Sequence, residues 1–216
     1  MKTAIVLALA VVSFSCQSKQ TPEKEIVKSN KGELKMDNKK TETAIFAGGC
    51  FWCTEAFFTD LKGVEKVVSG YIGGKTENPT YKEVCSGYSG HAEAIKITFN
   101  PEEVAYEDLL EIFFATHDPT TINRQGADVG TQYRSEIFYT TDEQKTEAEN
   151  FIKLLADQNI FDKKIVTKIS KATVFYPAED YHQDYYAQNG NQPYCQAVIA
   201  PKMDKLKKNY KSKLKD

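Results

Sequence analysis

Two cysteines separated by two residues form the part of this chain best suited to chemistry. Cys50 and Cys53 lie in residues 48–55, GGCFWCTE, directly after a short apolar run of β type at residues 43–47. The two glycines permit a sharp turn, and residues 50–58 contain no Gly or Pro and suit a helix. Backbone N–H groups and the helix dipole at a helix start favour an anion, and the Cys50 thiolate is the anion available. Cys53 would share its helical face, close enough for disulfide exchange.

Three interpretations of this pair are open: structural cysteines, half of a metal site, and thiol redox chemistry. A buried cysteine is most often a small apolar residue. A zinc site usually needs a second pair of ligands. The other Cys and His residues after residue 42 show no second C-x-x-C and no H-x₃₋₅-H spacing; they are Cys85, His91, His117, His182 and Cys195. We therefore favour thiol redox chemistry and expect no metal site.

Several further polar side chains fall in loops and at the ends of predicted elements. They are Tyr81 in NPTY, Glu93 in GHAE, Asp128 and Tyr133 in GADVGTQYRS, and His182 next to Tyr181. Each of them alone is ordinary for a loop. Together with a cysteine at a helix start, they suggest a thiol nucleophile, a proton donor and hydrogen-bonding phenols.

Length, charge and cysteine count limit the class of protein. The chain has 216 residues, 27% of them charged, and a formal net charge of -2. This length allows one substantial domain with tails, and the charge gives no case for a nucleic-acid partner. Five cysteines cannot all pair within the chain, so at least one is free, modified or transiently paired.

The first residues predict export and a lipid anchor. Lys2 precedes an apolar run at residues 4–12 that is too short to span a bilayer, and SFSC follows at residues 13–16. This resembles a bacterial lipoprotein signal of residues 1–15, cut before Cys16, whose thiol then carries lipid. Ser13 stands where the usual pattern has Leu, and the alternative is an ordinary secretory peptide that yields a periplasmic or secreted protein. We expect an extracytoplasmic lipoprotein anchored to a bacterial membrane.

The rest of the chain predicts a tether, one folded domain and a basic tail. Residues 16–42 are rich in Lys, Glu, Ser, Thr and Asn and cannot bury enough surface to fold, which predicts a disordered tether. Residues 43–201 form the predicted domain. Its strands are expected at residues 64–74, 92–99, 136–139, 165–169 and 173–175, and its helices at 50–58, 106–117, 140–159 and 178–186. Alternating strands interleaved with helices favour an α+β fold with a mixed, mainly antiparallel sheet and helices packed on it. Residues 202–216 are lysine-rich and predict a solvated helix or frayed tail.

Five short motifs in order along residues 43–182 resemble those of a known family. They are GCFW at Gly49, NPTY at Asn78 with EVCSG at Glu83, GHAE at Gly90, GTQYRS at Gly130, and YHQ at Tyr181. The family is that of the peptide-methionine (S)-S-oxide reductases, the type A methionine sulfoxide reductases. The resemblance implies a ferredoxin-like core within a mixed α/β sandwich. It also implies an oxidoreductase that reduces the S-epimer of methionine sulfoxide, free or in peptides and proteins, in the repair of oxidised proteins.

The resemblance also implies a role for each site residue. Cys50 attacks the sulfoxide sulfur and becomes a sulfenic acid. Glu93 donates a proton to the sulfoxide oxygen, which requires a pKa raised by an apolar pocket. Tyr81 and Tyr133 hydrogen-bond that oxygen, and Asp128 supports the network.

Substrate and reductant follow from the same resemblance. Phe51 and Trp52 form an apolar wall for the substrate methyl group, and His182 belongs to the substrate-binding residues. A resolving thiol then forms a disulfide with Cys50, which a thioredoxin-like donor reduces by exchange. No bound cofactor and no nucleic acid are expected, and a monomer is expected.

The resolving cysteine is where this chain departs from its family. The family commonly has Gly in place of Cys53, and its resolving cysteines often lie in a Gly-rich C-terminal tail, where this chain has only Cys195. Either cysteine could resolve, or both in sequence. We expect Cys53 to attack first because it is one helical turn away. Cys195 would then exchange with that disulfide from a flexible arm, and Cys85 is expected to be a buried bystander.

Two other functions remain as alternatives. A general thiol-disulfide oxidoreductase would explain the C-x-x-C pair, but it leaves Glu93 and Tyr133 without a role. A surface lipoprotein that only binds Met-rich partners is the non-enzymatic alternative.

Overall fold

The computed structural model describes residues 40–215. The predicted signal peptide at residues 1–15, the lipidated Cys16 and nearly all of the tether at 16–42 lie outside the described residues. Between residues 40 and 215, no helix is both long enough and apolar enough to cross a membrane. The described part comprises the predicted catalytic domain and the lysine-rich stretch after it.

Eight strands and six α-helices make up the described part of the chain. The strands are β1 (Glu42–Gly48), β2 (Val64–Ile72), β3 (Ala92–Phe99), β4 (Arg124–Gln125), β5 (Asp128–Val129), β6 (Ser135–Tyr139), β7 (Lys168–Lys171) and β8 (Tyr176–Pro177). The helices are α1 (Phe51–Thr59), α2 (Tyr81–Cys85), α3 (Tyr106–Thr116), α4 (Asp142–Asp157), α5 (Tyr185–Asn189) and α6 (Ala200–Asn209). Short 3₁₀ turns span Thr131–Tyr133, Asp180–His182 and Lys211–Lys213, and a π-helical turn spans Cys195–Ile199.

Six strands form one sheet in the order β7-β6-β1-β3-β2-β8. All neighbouring pairs are antiparallel except β6 and β7, which are parallel. The elements β1-α1-β2-β3-α3-β6 run in the βαββαβ order of a ferredoxin-like fold, and their strands lie in the order β6-β1-β3-β2. The predicted mixed, mainly antiparallel sheet with a ferredoxin-like core is therefore confirmed.

Side chains alternate between the two faces of the sheet along each strand. Both faces carry buried apolar residues. In β1, Ala44 and Phe46 belong to the main core, whereas Ile45 and Ala47 belong to a smaller cluster. The main core also receives apolar side chains from the helices; among them are Phe57, Phe58, Leu109, Leu110, Ile112 and Phe113. This packing fixes α1 against the sheet, and with it the position of the Cys50 turn.

The lysine-rich stretch begins as a helix, α6, which is one of the two forms predicted, but it is packed onto the domain and is neither fully solvated nor frayed. Met203, Leu206 and Leu214 are buried in the main core, and Leu214 forms a β-bridge with Leu61. The reason is the apolar stripe formed by residues 203 and 206, three apart on one face of α6, while most of the lysines stay in solvent. The packed chain thus continues past residue 201 to Leu214.

Candidate active site

Cys50 occupies the turn between β1 and α1, as predicted. Gly49 adopts φ +97°, in the left-handed region that favours glycine, and a Cβ on it would lie 2.6 Å from the Gln125 side chain. Cys50 is the N-cap residue of α1, and its side chain is buried. The strand-to-helix turn therefore presents Cys50 at the point where free N–H groups of the helix begin.

The carboxyl group of Glu93 lies at this helix start. The backbone N–H of Phe51 donates to Glu93 Oε2 at 3.0 Å. Glu93 lies on β3 and is 1% exposed. Burial raises the pKa of Glu93 to about 8, although the Phe51 N–H acts in the opposite direction, and Asp128 and Cys53 raise it further. Glu93 is thus a carboxylic acid at neutral pH and can donate a proton.

The two thiols of the C-x-x-C pair interact directly, and their acidities differ from the simple helix-start expectation. A hydrogen bond with Cys53 is the main cause that raises the pKa of Cys50, followed by burial and the nearby Glu93. The pKa of Cys53 is lowered, chiefly by the hydrogen bond from Cys50 and, against burial, by Lys202. Cys50 therefore holds the shared proton in the reduced protein, chiefly because of its hydrogen bond with Cys53 and its burial, and Glu93 at the helix start adds to the effect.

Tyr133 and Tyr81 complete the polar side of the site. Tyr133 ends the turn Thr131–Tyr133 and lies within electrostatic range of Glu93, Cys50 and Asp128. Tyr81 begins α2, interacts with Glu93 and contacts Cys85 through its hydroxyl. Burial raises the pKa of both phenols above its usual value, so both remain hydrogen-bond donors.

The aromatic wall is built from stacked rings. Trp52 is half-buried, and its ring stacks on Tyr185 with centroids 3.6 Å apart and planes 6° from parallel. Trp52 Nε1 donates to Nδ1 of His182 at 3.0 Å. Phe51 is fully buried, and its ring centroid lies 5.1 Å from that of His182. These contacts hold the Trp52 ring in one orientation beside the Cys50 turn.

His182, which was predicted to belong to the substrate-binding residues, lies inside the protein. It is 1% exposed and lies behind Trp52 and Phe51, with its ring 4.5 Å from that of Tyr81. Burial lowers its pKa, so it accepts the Trp52 N–H as a neutral imidazole. The structure thus shows His182 supporting the aromatic wall from within the protein.

The other two predicted cysteine environments are wrong. Cys195 is fully buried at the start of the π-helical turn, with its neighbour Ile199 in the main core, and so is not on a flexible arm. Cys85 is exposed at the end of α2. A short helix replaces the strand-like run that suggested burial, and it turns Val84 inward and Cys85 outward. Among residues 40–215, all four cysteines are free thiols.

Sequence analysis missed two residues that the C-terminal segment brings to the site. The hydroxyl of Tyr194 donates to Asp128 Oδ2 at 2.9 Å and lies 3.8 Å from the Cys53 sulfur. Lys202, at the start of α6, lines the same cavity of about 370 Å³ as Cys50, Cys53 and Asp128. Only the position of Tyr194 next to Cys195 could have drawn attention to it in the sequence.

Comparison with known proteins agrees with this arrangement. The family model described as Peptide methionine sulfoxide reductase matches residues 42–214. A peptide methionine sulfoxide reductase MsrA of Deinococcus radiodurans is 59% identical over 174 residues, which cover 81% of this chain and 84% of the relative. The MsrA of Chromobacterium violaceum is 56% identical over 169 residues, covering 78% and 96% of the two chains.

The fold is also similar to that of solved structures. The structure of Mxr1 from Saccharomyces cerevisiae in reduced form has a TM-score of 0.67 and 34% identity, and covers 74% of this chain and 91% of that one. Methionine sulfoxide reductase A of Corynebacterium diphtheriae has a TM-score of 0.61 and 34% identity, with 69% and 75% covered. The chain belongs to the peptide methionine sulfoxide reductase family. The resemblance, the fold class and the expectation of an oxidoreductase are confirmed.

Proposed function

We propose that this protein reduces the S-epimer of methionine sulfoxide, free or in peptides and proteins, to methionine in the repair of oxidised proteins. The observation that carries the proposal is the buried Glu93 carboxyl, bonded at 3.0 Å to the N–H of Phe51, the residue after Cys50. A nucleophilic sulfur and a protonated acid at one helix start are what transfer of a sulfoxide oxygen requires.

In the first step the Cys50 sulfur attacks the sulfoxide sulfur while Glu93 protonates the sulfoxide oxygen. The Cys50 proton passes along their hydrogen bond to the sulfur of Cys53, and Glu93 is left as a carboxylate. The oxygen ends on Cys50 as a sulfenic acid, so the substrate sulfur gains two electrons and the Cys50 sulfur loses two. Tyr81 and Tyr133, which stay protonated, hydrogen-bond the oxygen, and Asp128 supports them.

Selection of one sulfoxide epimer follows from an asymmetric site. The oxygen must face Glu93 and Tyr133, and the methyl group must face the Trp52 ring, while Cys50 attacks the sulfur. Because Trp52 is fixed by Tyr185 on one face and by the bond to His182, the methyl and oxygen positions cannot be exchanged. The resemblance to type A reductases assigns the S-epimer to this arrangement.

In the second step a resolving thiol attacks the sulfenic sulfur, an S–S bond forms, the S–O bond breaks and water leaves. Cys53 is the first resolving thiol, since it lies one helical turn from Cys50, with its backbone N–H bonded to the Cys50 carbonyl at 3.1 Å. A thioredoxin-like protein then reduces the disulfide by thiol exchange. No bound cofactor enters this cycle, and the protein acts as a monomer.

We place the enzyme outside the cytoplasm, attached to a bacterial membrane through a lipid on Cys16. The support is the n-region, apolar run and small residues that precede Cys16. A periplasmic soluble or secreted form is the alternative location.

A single-turnover experiment tests the proposed function. The reduced protein is mixed with one equivalent of N-acetylmethionine (S)-sulfoxide or (R)-sulfoxide, without reductant, and formation of N-acetylmethionine is followed. We expect N-acetylmethionine from the S-epimer, loss of that product in Cys50→Ser, and its retention in the matched control Cys85→Ser. Normal turnover in Cys50→Ser would end the proposal. Reduction of insulin disulfides in place of the sulfoxide would point to a general thiol-disulfide oxidoreductase.

A further inference from the structure

The Tyr194 hydroxyl lies between two groups of the site that do not bond each other. It donates to Asp128 Oδ2 at 2.9 Å, and its oxygen is 3.8 Å from the Cys53 sulfur. The phenol ring meets Trp52 edge-on, with centroids 6.0 Å apart and planes at 75°. Cys50 is a third neighbour of this hydroxyl, and their interaction lowers the pKa of Cys50.

The two contacts of the Tyr194 hydroxyl favour proton transfer from Cys53 towards Asp128. The Tyr194 hydrogen is used in the bond to Asp128, so the oxygen is free to accept a hydrogen bond from the Cys53 thiol. Burial, together with Cys50, Cys53 and Asp128, raises the pKa of Tyr194. Because its pKa is raised, the Tyr194 phenol does not stay ionised, and it accepts the Cys53 proton as it gives its own proton to Asp128.

Cys53 needs such a path after the first step of the proposed cycle. It has then received the proton of Cys50 and is a neutral thiol, whereas the thiolate is the form that attacks a sulfenic acid. Cys53 is 5% exposed, so proton transfer directly to water is hindered. Lys202 lies on the wall of the same cavity and favours a negative charge on the Cys53 sulfur.

We propose that Tyr194 relays the Cys53 proton to Asp128 and that Lys202 stabilises the resulting thiolate, so that the C-terminal segment activates Cys53 as the resolving thiol. This inference rests on the proposed function. The Cys53 proton moves to Tyr194 as the Tyr194 proton moves to Asp128. The thiolate attacks the Cys50 sulfenic sulfur, the S–S bond forms, and the leaving hydroxide takes the proton back from Asp128 as water.

The pH dependence of this step depends on all ionisable groups around Cys53. They are Cys50 at the helix start, Glu93 on β3, Asp128 on β5, Tyr194 and Cys195 on the C-terminal segment, and Lys202 on α6. Among these, Lys202 is the one positive charge, and Tyr194 is the hydroxyl in contact with the sulfur.

The test uses the full chain with Cys195→Ala, which leaves Cys53 as the buried thiol next to Cys50. After one turnover with N-acetylmethionine (S)-sulfoxide, the sulfenic acid is trapped with dimedone at timed intervals between pH 6 and pH 9 and counted by mass spectrometry. Tyr194→Phe, which keeps the ring, should lengthen the sulfenic acid lifetime about tenfold at pH 7 and move the pH midpoint of the rate up by about one unit. Lys202→Gln should act in the same direction.

Matched controls separate the relay from a general structural effect. Tyr186→Phe removes a hydroxyl from α5, and Lys205→Gln removes a charge from α6, and both should keep the parent lifetime. A Tyr194→Phe variant with the parent lifetime and midpoint would overturn the relay, as would a rate lowered equally at every pH.

A second measurement distinguishes failure of the relay from failure of the proposed function. Ultraviolet titration of the reduced protein at 240 nm, with Cys53→Ser as reference, gives the pKa of Cys53 without any substrate. An upward shift of about one unit in Tyr194→Phe supports the activation of Cys53, and an unchanged value contradicts it. If the parent forms no methionine, the proposed function fails, and this titration still decides whether Tyr194 and Lys202 activate Cys53.

Discussion

The backbone N–H of Phe51 donates a 3.0 Å hydrogen bond to Glu93, so a buried carboxyl occupies the start of the helix that follows Cys50. A helix start normally favours an anion, and the bond to Phe51 does lower the pKa of this carboxyl. Burial outweighs that effect and brings the pKa to about 8. The site thus combines a protonated acid with a sulfur whose own proton is shared with Cys53.

Replacing Glu93 with Gln should slow methionine formation in a single turnover by about 10²–10⁴-fold, the usual contribution of a general acid. The amide oxygen of Gln can still accept the Phe51 N–H, so the helix start should remain intact. Circular dichroism and thermal unfolding provide the control for folding. A variant with the parent rate and pH profile would show that Glu93 is not the acid.

The rate of the first step should depend on pH through the same group. Glu93 must be protonated to act, so the rate should be lost as pH rises through about 8. Rapid-quench measurement of methionine formation between pH 6 and pH 10 checks this. The residual activity of Glu93→Gln should lack this decrease in rate near pH 8. If the decrease persists in the variant, another group causes the pH dependence.

The free energy of unfolding should also depend on the protonation of Glu93 in the same pH range. Its pKa in the folded protein lies above the ordinary value of 4.5 for a glutamate, so between these two values the folded state binds more protons than the unfolded state. The free energy of unfolding contributed by this group should therefore fall as pH rises from about 5 to 8. Urea unfolding at both pH values should show a smaller decrease in Glu93→Gln, and an equal decrease would contradict the assignment.

Replacing His182 with Phe should weaken the aromatic wall. The ring remains, but Trp52 Nε1, which now donates to His182 at 3.0 Å, loses its acceptor. An unpaired, partly buried N–H typically costs about 1–3 kcal/mol. We expect a lower free energy of unfolding and a raised KM for the sulfoxide, measured by urea unfolding and steady-state kinetics. His182→Asn, which offers an acceptor, is the matched variant, and equal behaviour of the two would argue against the hydrogen bond.

The two candidate resolving cysteines should separate kinetically. Cys53→Ala should slow the loss of the Cys50 sulfenic acid after one turnover, because Cys53 is the thiol one helical turn from Cys50. Cys195→Ala should leave this loss fast and impair only recycling by thioredoxin. Trapping with dimedone distinguishes the two. Accumulation of sulfenic acid in Cys195→Ala, with none in Cys53→Ala, would reverse the assignment.

Cys16→Ala should release the protein from the membrane fraction, because the thiol of Cys16 is the proposed site of lipid attachment. Cell fractionation and intact-mass spectrometry of the parent and the variant measure the outcome. A parent protein that is already in the soluble fraction and carries no added lipid mass would refute the anchor.

The local features of the site were determined by the sequence alone. Two glycines before a stretch of helix-compatible residues place Cys50 at a strand-to-helix turn, and the alternation in residues 92–99 identifies β3 and the position of Glu93 at its start. The order of strands and helices also suggested the α+β class. These features depend on backbone freedom and side-chain periodicity over a few neighbouring residues, which a sequence displays directly.

The long-range features were decided only by the tertiary structure. Glu93 meets Phe51 across 42 residues, and Tyr194 meets Asp128 across 66. Cys195 is buried although its neighbourhood contains Gly and Pro, and Cys85 is exposed although the stretch before it is strand-like in sequence. Such contacts depend on which faces of distant elements pack together, and a local pattern carries no information about the partner. The acidity of Glu93 arises in the same way, because burial by the whole fold, and not its neighbours in sequence, raises its pKa.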